Sequence, residues 1–332
     1  MVERSLEMRG FRLSVEVPER AARVLRRIVG SGKARAGVAP PPSSASKLVI
    51  RRAPTVTFEK RDPEVGIAFI QDRIDRRAAT TATPATTGPE TADDPDSLHA
   101  LSKEVASHPW YHTIELPHGI VTPGHYDHRT LVPSYGIPPD LEGKQVLDVG
   151  SADGFWAFEF ERRGAKVTAV DIETTAEVDL PLPVRRLAAD RGYADPLGDG
   201  FALAHRLLNS SVERVPGTVY DLDPDRLGRF DLVHAGDLLL HLRDPWRALE
   251  QIRSVTAGQA LLSDVYDPAL DNGLIHHLGG WNTAGWNIPS LGTLVQMVAD
   301  AGFSDVQVLT TYCLAIRGMS DGPWRAVLLA TP

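Results

Sequence analysis

The chain has 332 residues, of which 42% are hydrophobic and 23% charged, an ordinary composition for a water-soluble domain that can bury a core without disulfides. Its single cysteine, Cys313, excludes an intramolecular disulfide and suits a reducing compartment, so a cytoplasmic location is expected. The sequence has no run of about 18 apolar residues and no apolar signal core near its start, so neither a membrane span nor a secretion signal is predicted.

The net charge of −8 conceals an asymmetry along the chain. Residues 1–77 hold 17 Lys and Arg against 9 Asp and Glu, a balance of +8, and the rest holds 18 against 34, a balance of −16. Enzymes that act on nucleic acids usually carry a basic face that neutralises phosphates. The acidic body therefore argues against a nucleic-acid partner. The basic N-terminal region is expected to dock on an acidic surface of this chain or of a partner, in a homodimer or with another protein, and RNA capture is the alternative.

The first third of the chain predicts an accessory region followed by a linker. Residues 1–77 form the small accessory region, with helices predicted over 18–29 and 63–77. Residues 78–97 have no hydrophobic periodicity and almost no large apolar side chain, which is typical of a flexible linker. The main domain is therefore expected to occupy residues 98–332.

From residue 98 onward, apolar segments that suit strands alternate with amphipathic segments that suit helices. This alternation predicts a Rossmann-like, doubly wound α/β fold with a mostly parallel seven-stranded sheet. Two strand segments follow one another at the end of the chain, which predicts a C-terminal antiparallel hairpin. The predicted strands cover 144–150, 166–172, 217–222, 229–236, 259–267, 304–318 and 323–332, and the predicted helices cover 98–110, 154–164, 198–209, 245–256 and 290–302.

The stretch from Gln145 to Asp171 carries a pattern that suits a nucleoside. Asp148 lies near the end of an apolar strand, and ligands of open α/β sheets bind at the carboxyl ends of the strands. Gly150 and Gly154 bracket the turn into the next helix, where a ligand must approach the backbone closely. Asp171 ends the following strand, where a carboxylate can accept hydrogen bonds from both ribose hydroxyls.

The glycines of this stretch differ from the dinucleotide signature. That signature, G-x-G-x-x-G, seats a pyrophosphate on a helix N-terminus, whereas this chain has G-S-A-D-G over residues 150–154. The Asp153 carboxylate would repel a phosphate and suits a cofactor with a cationic centre and an amino group. S-adenosylmethionine has both features and no phosphate, so it is favoured over NAD(P).

Beyond this stretch, the chain from about residue 108 to its end resembles the class I S-adenosylmethionine-dependent methyltransferases. It is most similar to the branch that includes the tRNA wobble-uridine methyl- and carboxymethyltransferases and their actinobacterial natural-product relatives. Where relatives often read G-V-L-Y-H, residues 236–241 read G-D-L-L-L-H, which leaves the substrate class open. The segments that carry the resemblance are Trp110–Leu116, Gly119–Gly124, Leu141–Ala165, Val219–Leu222, Gly228–Val233, His241–Pro245 and Asn287–Leu291.

The resemblance implies a set of cofactor-binding residues. In it, Asp148, Gly150 and Asp153 surround the methionine moiety. Asp171 binds the ribose, and the segment 219–221 holds the adenine. The full predicted set is Asp148, Gly150, Ser151, Asp153, Gly154, Asp171, Ile172, Val219, Tyr220, Asp221 and Gly236.

The predicted catalytic residues are His241 and Asp237. Methyl transfer from a sulfonium is an in-line displacement, for which the protein places the nucleophile and, for a hydroxyl, accepts its proton. His241 follows a strand and is the candidate base, or else it bonds a backbone carbonyl there. Asp237 either faces the substrate or caps the following turn.

The chain also has predicted substrate-binding residues, among them two tryptophans of an aromatic insert over 271–287. They are His112, Arg129, Tyr266, His276, Trp281 and Trp286.

A metal centre is not predicted. Four histidines crowd the segment before the cofactor motif, but their spacings match no compact zinc pattern and no cysteine assists them. These histidines are His112, His118, His125 and His128.

Three functions are compatible with these observations. The favoured one is O- or N-methylation of a small molecule in specialised metabolism. The second is modification of the tRNA wobble uridine, in which a carboxymethyl transfer needs a cation for the extra carboxylate, with Arg129 and Arg243 as candidates. The third is a protein of this fold that uses S-adenosylmethionine for lyase- or cyclase-like chemistry, because a fold does not fix a function. Release of S-adenosylhomocysteine separates the third from the first two.

Overall fold

The computed structural model describes residues 2–8, 11–17, 64, 67, 71, 95–281 and 285–332. The chain divides into two compact units, Met1–Lys60 and Arg61–Pro332. In the first unit, β1 (Val2–Met8) and β2 (Phe11–Val17) pair as an antiparallel hairpin. The predicted helix over 18–29 and most of the predicted linker lie outside the described residues.

A seven-stranded sheet forms the centre of the second unit, in the order β10-β11-β7-β6-β3-β4-β5. The five strands from β7 to β5 are parallel, and β11 and β10 are each added antiparallel. The predicted fold class, including the C-terminal antiparallel hairpin, is confirmed. The strands are β3 (Gln145–Val149), β4 (Lys166–Asp171), β5 (Glu213–Pro216), β6 (Phe230–Gly236), β7 (Thr256–Tyr266), β10 (Asp305–Cys313) and β11 (Trp324–Thr331).

Helices cover both faces of this sheet, because successive strand side chains point to opposite faces and both faces are apolar. Val146 packs in a cluster with α1, α2 and α4, whereas Leu147 packs in a cluster with α6 and α7. Within the described residues, no helix has the length and apolar character to cross a membrane. The helices are α1 (Pro95–Ser107), α2 (Phe155–Glu161), α3 (Leu182–Asp190), α4 (Asp199–Leu208), α5 (Pro224–Leu227), α6 (Pro245–Val255) and α7 (Leu291–Asp300).

The second unit begins at Arg61, inside the predicted accessory region, and the structure describes three residues between 61 and 77. Ile67 is 3% exposed and packs in a small cluster with Val184 and Ala188 of α3. Glu64 forms an ion pair with Arg191, and Gln71 accepts a hydrogen bond from the Tyr193 hydroxyl at 2.5 Å. The contacts of Glu64, Ile67 and Gln71 therefore tie the chain around residue 67 to the body of the main domain.

The strand predicted over 217–222 is wrong. The strand there is β5, which ends at Pro216, and the chain continues as a 3₁₀ turn over Val219–Asp221. The physical reason is local: Thr218 and Asp221 form a reciprocal capping box that closes the turn, with the Thr218 N–H donating to Asp221 Oδ2 at 3.0 Å. Such a cap competes with an extended backbone for the same groups.

The aromatic insert contains a small hairpin that the sequence did not predict. Its strands are β8 (Ile275–His277) and β9 (Asn287–Pro289), which pair antiparallel. Trp286 anchors the hairpin, because its backbone N–H donates to the Leu240 carbonyl and its indole N–H donates to the Asp179 carbonyl, both at 2.6 Å. The insert is thus fastened next to the turn that follows β6.

Candidate functional site

The loop between β3 and α2 is the tightest turn at the carboxyl edge of the sheet. Gly150 has φ +75°, and a Cβ there would lie 3.2 Å from a methyl group of Leu238. Gly154 has φ +88°, and a Cβ there would lie 2.5 Å from the ring of Phe158. Both positions favour glycine, because side chains are disfavoured at positive φ and one at residue 154 would clash with Phe158. The predicted reason was the close approach of a ligand, which stays a prediction.

Asp171, at the end of β4, is folded against this loop. Its Oδ2 accepts a hydrogen bond from the Ala152 N–H at 2.7 Å, and its Oδ1 accepts one from the Ile172 N–H at 2.8 Å. Burial raises the pKa of this carboxyl group above its ordinary value, against the effect of the two N–H donors. The carbonyl of Ile172 accepts a hydrogen bond from Arg214. Asp171 therefore links two strand ends of the predicted cofactor site.

Asp153 fastens a covering segment onto the same loop. Its Oδ2 accepts hydrogen bonds from the backbone N–H groups of Tyr111 and His112, the latter at 2.9 Å. The predicted role of this carboxylate was to surround the methionine moiety of the cofactor. Its observed contacts are to the protein backbone, and they bring the segment around residue 111 over the loop.

Asp148 is 1% exposed and is bonded to a histidine that the sequence analysis did not single out. Its Oδ1 lies 2.7 Å from Nδ1 of His234 on β6, and His234 Nε2 lies 3.1 Å from the Tyr135 hydroxyl. A signal was present in the sequence, since His234 interrupts the apolar strand FDLVHAG. Gly236 follows two residues later, where a Cβ would lie 3.2 Å from the His234 ring.

Two polar atoms beside this loop fit the amino-acid part of S-adenosylmethionine. Asp148 Oδ2 and Ser151 Oγ are buried, and neither has a hydrogen-bond partner among the described residues. A carboxylate oxygen accepts from an ammonium group, and a hydroxyl donates to a carboxylate. A buried polar atom without a partner is costly, so a ligand with these two groups would relieve both.

A buried ion pair lies at the end of β6, next to the loop between β3 and α2 (residues 150–154), which we call the cofactor loop after its predicted role. Asp237 has φ +50°, and both of its carboxylate oxygens accept from Arg325 Nε, at 2.7 and 2.8 Å. The guanidinium of Arg325 also lies over the Tyr126 ring, 5.0 Å from its centroid, and the Tyr111 hydroxyl donates to Asp237 Oδ2 at 3.4 Å. Arg325 was missed, although a charged residue inside the apolar strand WRAVLLA was a visible signal.

Burial shifts the pKa values of the titratable groups around this ion pair. Burial and the Asp237 carboxylate raise the pKa of both Tyr111 and Tyr312 well above the ordinary value, so these hydroxyls stay protonated. Burial and then His128 lower the pKa of His112, and burial and then Arg325 lower the pKa of His128 to about 3. The described residues contain no group of three His, Cys, Asp or Glu side chains placed to hold a metal ion.

The turn Leu239–His241 carries the predicted base. The buried Asp264 on β7 holds this turn, accepting from the N–H of Leu239 at 2.6 Å and of Leu240 at 3.3 Å. Burial raises the pKa of Asp264 to about 7, and the Asp237 carboxylate acts in the same direction. His241 is half-buried at the end of the turn. The structure thus brings Asp237 and His241 to the same strand end.

The predicted adenine segment is engaged in contacts within the protein. Val219 is buried in the core, and Asp221 accepts from Thr218 in the capping box. The Tyr220 hydroxyl donates to Asp179 Oδ2 at 2.9 Å and accepts from the Asp244 N–H at 3.1 Å. These bonds hold the carboxyl edge of the sheet to the segment after β4.

The predicted substrate-binding residues are dispersed. Arg129 is exposed and ion-paired with Asp127, His276 is exposed on β8, and Tyr266 is buried in the core at the end of β7. Trp281 packs against the cluster around Leu180. The structure places His112 and Trp286 nearer the site: His112 stacks on Phe155 with 5.6 Å between centroids, and Trp286 binds the 239–241 turn.

The fold is that of an α/β domain whose candidate cofactor site lies at the carboxyl edge of its sheet. A comparison with known sequences identifies the class of domain. A family model described as a methyltransferase domain matches residues 127–308, more than half of the chain. The chain therefore belongs to the methyltransferase domain family. This membership confirms the predicted methyltransferase domain, for which S-adenosylmethionine is the predicted cofactor.

Curated relatives match a shorter region. The ubiquinone biosynthesis O-methyltransferase of Acinetobacter baylyi is 30% identical over 105 residues, which are 32% of this chain and 36% of that protein. The enzyme of the same name from Azotobacter vinelandii is 31% identical over 128 residues, 38% of this chain and 46% of that protein. The chain spans less than half the length of these two relatives.

Solved structures are similar at low sequence identity. EvdMO1 is 19% identical, with 74% of this chain and 49% of that chain covered and a TM-score of 0.46. The magnesium protoporphyrin IX methyltransferase of Synechocystis PCC 6803, with bound S-adenosylmethionine, is 14% identical, with 83% of this chain and all of that chain covered and a TM-score of 0.41.

Proposed function

We propose that the protein transfers a methyl group from S-adenosylmethionine to an oxygen or nitrogen atom of a small molecule of specialised metabolism. The observation that carries the proposal is the cluster of Tyr111, Tyr126, Asp237 and Arg325 directly beside the cofactor loop. It is largely buried and contains aromatic, cationic and anionic groups, as pockets for small acceptors do.

Different residues in and beside the cofactor loop are assigned to different parts of the cofactor. Asp148 Oδ2 and Ser151 Oγ are the groups for its methionine moiety, and Asp171 is the group for its ribose. When bound, S-adenosylmethionine supplies an electrophilic methyl group and its own leaving group, so the protein needs no nucleophile of its own. What the chain contributes is position, exclusion of water and an acceptor for the proton.

His241 is the proposed proton acceptor, and Asp237 is proposed to orient the acceptor molecule. Both carboxylate oxygens of Asp237 already accept from Arg325 Nε, so Asp237 is held in place beside the cofactor loop. His241 lies on a turn fixed by Asp264 and by the backbone of Trp286. A histidine held in this way can accept the proton of a hydroxyl or an ammonium as the methyl group is transferred.

Charge disfavours the tRNA alternative. An RNA substrate requires cations that face it, but Arg129 is paired with Asp127 and Arg325 with Asp237. The other candidate cation, Arg243, is exposed before α6. Because Asp237 neutralises Arg325, this arginine is also poorly suited to the extra carboxylate of a carboxymethyl donor. The balance of −16 outside residues 1–77 argues in the same direction.

The test is the release of S-adenosylhomocysteine in the presence of a panel of small phenols, alcohols and amines and, separately, of tRNA. We expect turnover with a small acceptor and none with tRNA. Turnover of the tRNA would replace the proposal with the tRNA function. Conversion of an acceptor without release of S-adenosylhomocysteine would replace the proposal with the non-methylating function.

For the residue assignment, we expect His241→Ala to lower kcat by about 100-fold or more, the usual size of general base catalysis. The affinity for S-adenosylhomocysteine should change little. His118→Ala, on an exposed turn, is the matched control and should behave as wild type. A His241→Ala enzyme with wild-type turnover across the pH range would remove His241 as the base.

A further inference from the structure

A chain of hydrogen-bonded side chains lies beside β6 and β3 and ends on Asp148. Tyr135 bonds His234 on β6, and His234 bonds Asp148 on β3. Asp148, His234 and Tyr135 are each 1% exposed, so water does not compete for these bonds.

The chemistry of the groups fixes the direction of this chain. An ionised Asp148 can only accept, so His234 Nδ1 carries the proton that it shares with Oδ1. In a neutral imidazole the other nitrogen is then an acceptor, and the Tyr135 hydroxyl donates to it. Burial raises the pKa of Tyr135 well above the ordinary value, so its hydroxyl keeps that proton. Each donor therefore points towards the Asp148 carboxylate.

Packing alone does not account for a histidine at position 234. The rings of Trp156 and Phe160 lie 5.2 and 5.4 Å from the His234 ring, between centroids, so an apolar side chain would have suitable neighbours here. Buried polar groups are often replaceable by apolar ones of similar volume without loss of stability. What an apolar residue cannot supply is the hydrogen bond to Asp148 Oδ1.

We propose that His234, held by Tyr135, is a positioning residue that fixes the Asp148 carboxylate for the ammonium group of the cofactor's methionine moiety. The inference rests on the proposed function and deepens it. Asp148 uses one oxygen for His234, and its other oxygen is buried without a partner among the described residues. A carboxylate held rigidly by one oxygen presents the other in a fixed direction, which lowers the entropic cost of binding a cation.

Two substitutions that differ only in which contact they keep test this proposal in the full-length protein. The amide nitrogen of asparagine reaches about as far as histidine Nδ1, so His234→Asn keeps a donor for Asp148. Glutamine reaches about as far as Nε2, so His234→Gln keeps a partner for Tyr135 and loses the donor to Asp148. Calorimetry compares S-adenosylhomocysteine, which has the ammonium group, with 5′-methylthioadenosine, which lacks the amino-acid part.

We expect His234→Gln to weaken S-adenosylhomocysteine binding by tenfold or more and His234→Asn to weaken it by less than threefold. Binding of 5′-methylthioadenosine should stay within twofold of wild type in both variants. A purely structural role predicts equal losses for the two ligands. Equal losses, or wild-type affinity for S-adenosylhomocysteine in His234→Gln, would overturn the proposal.

A measurement on the unmodified protein covers the case in which a variant does not fold. Nitrogen-15 spectra of labelled histidine report which ring nitrogen carries the proton. We expect the Nδ1–H form for His234 in the wild type and a shift of this proton on addition of S-adenosylhomocysteine. The Nε2–H form, or no shift in the saturated protein, contradicts the proposal.

Different results would overturn the positioning role of His234 and the proposed methyl transfer. A wild-type protein that binds S-adenosylhomocysteine no more tightly than 5′-methylthioadenosine would end the positioning proposal and leave methyl transfer intact. A wild-type protein with no measurable affinity for S-adenosylhomocysteine would overturn the proposed function, and the positioning role of His234 with it.

Discussion

Asp237 occupies a backbone conformation that its own side-chain contacts explain. A φ of +50° is uncommon for a residue with a side chain, and Asp and Asn are among the few that tolerate it. The backbone N–H of Asp237 donates to the Ser263 carbonyl at 2.8 Å, and the carboxylate is held by Arg325. Contacts from two other strands therefore stabilise a strained residue at a functional edge, where such strain is usually found.

Removing the charge of Asp237 should destabilise the fold. Asp237→Asn tolerates the same backbone but leaves the Arg325 guanidinium buried without its counter-charge, and we expect the free energy of unfolding to fall by about 3–5 kcal/mol. The double variant Asp237→Asn with Arg325→Met removes the stranded charge and should recover most of this loss. Urea unfolding measures both. Equal losses in the single and double variants would contradict the argument.

Asp171 is expected to contribute to cofactor binding because its carboxylate accepts hydrogen bonds from the ribose hydroxyls. We expect Asp171→Ala to weaken S-adenosylhomocysteine binding by roughly 1.5–3 kcal/mol, the range for hydrogen bonds to charged groups. Asp190→Ala, at the exposed end of α3, is the control. Calorimetric affinity that matches wild type in Asp171→Ala would remove the ribose assignment.

At the scale of elements, the site is assembled from the turns that follow parallel strands. The 239–241 turn has no side-chain cap of its own, and its N–H groups are satisfied by Asp264 from the next strand. The hairpin of β8 and β9 is fastened to the same turn through Trp286. The position of His241 therefore depends on β7 and on the insert as well as on its own N–H, which donates to the Leu238 carbonyl at 3.0 Å.

Asp264 should make the stability of the protein depend on pH. Its pKa is raised to about 7 in the folded state and is near 4 for an unfolded chain, so the folded state binds this proton more tightly. Its contribution to stability is fully present below about pH 4 and is lost as the pH rises to about 7. We expect urea unfolding of Asp264→Asn to lack this decline. Asp267→Asn, directly after the same strand, should retain it.

At the scale of the whole molecule, the contacts of Glu64, Ile67 and Gln71 predict where the folded domain begins. A chain that begins at Arg61 keeps Ile67 and its buried contacts, whereas a chain that begins at Ala78 loses them. We expect the shorter chain to be less stable by about 2–5 kcal/mol, as for the loss of a buried isoleucine, and Ile67→Ala in the longer chain to reproduce much of this. Equal urea midpoints for the two chains would show that these contacts contribute nothing.

The parts of the site that sequence reasoning found are those whose signals are local. Gly150 and Gly154 lie four residues apart in one turn, and Asp171 ends the adjacent strand, so motif and periodicity placed all three at one strand edge. The wrong strand prediction also arose from relying on a local pattern. The strand predicted over 217–222 was lost to a capping box between Thr218 and Asp221, a competition of hydrogen bonds that apolar pattern alone does not register.

The sequence by itself determined the class of fold and predicted the cofactor loop and the chemical type of its ligand. These depend on strand and helix periodicity and on glycines at fixed spacing within about 30 residues. Only the tertiary structure decided which partners the polar groups take. Arg325 meets Asp237 across 88 residues, and His234 meets Asp148 across 86. Such pairings follow from strand order and register, which bring distant residues to one sheet face and which no local pattern encodes.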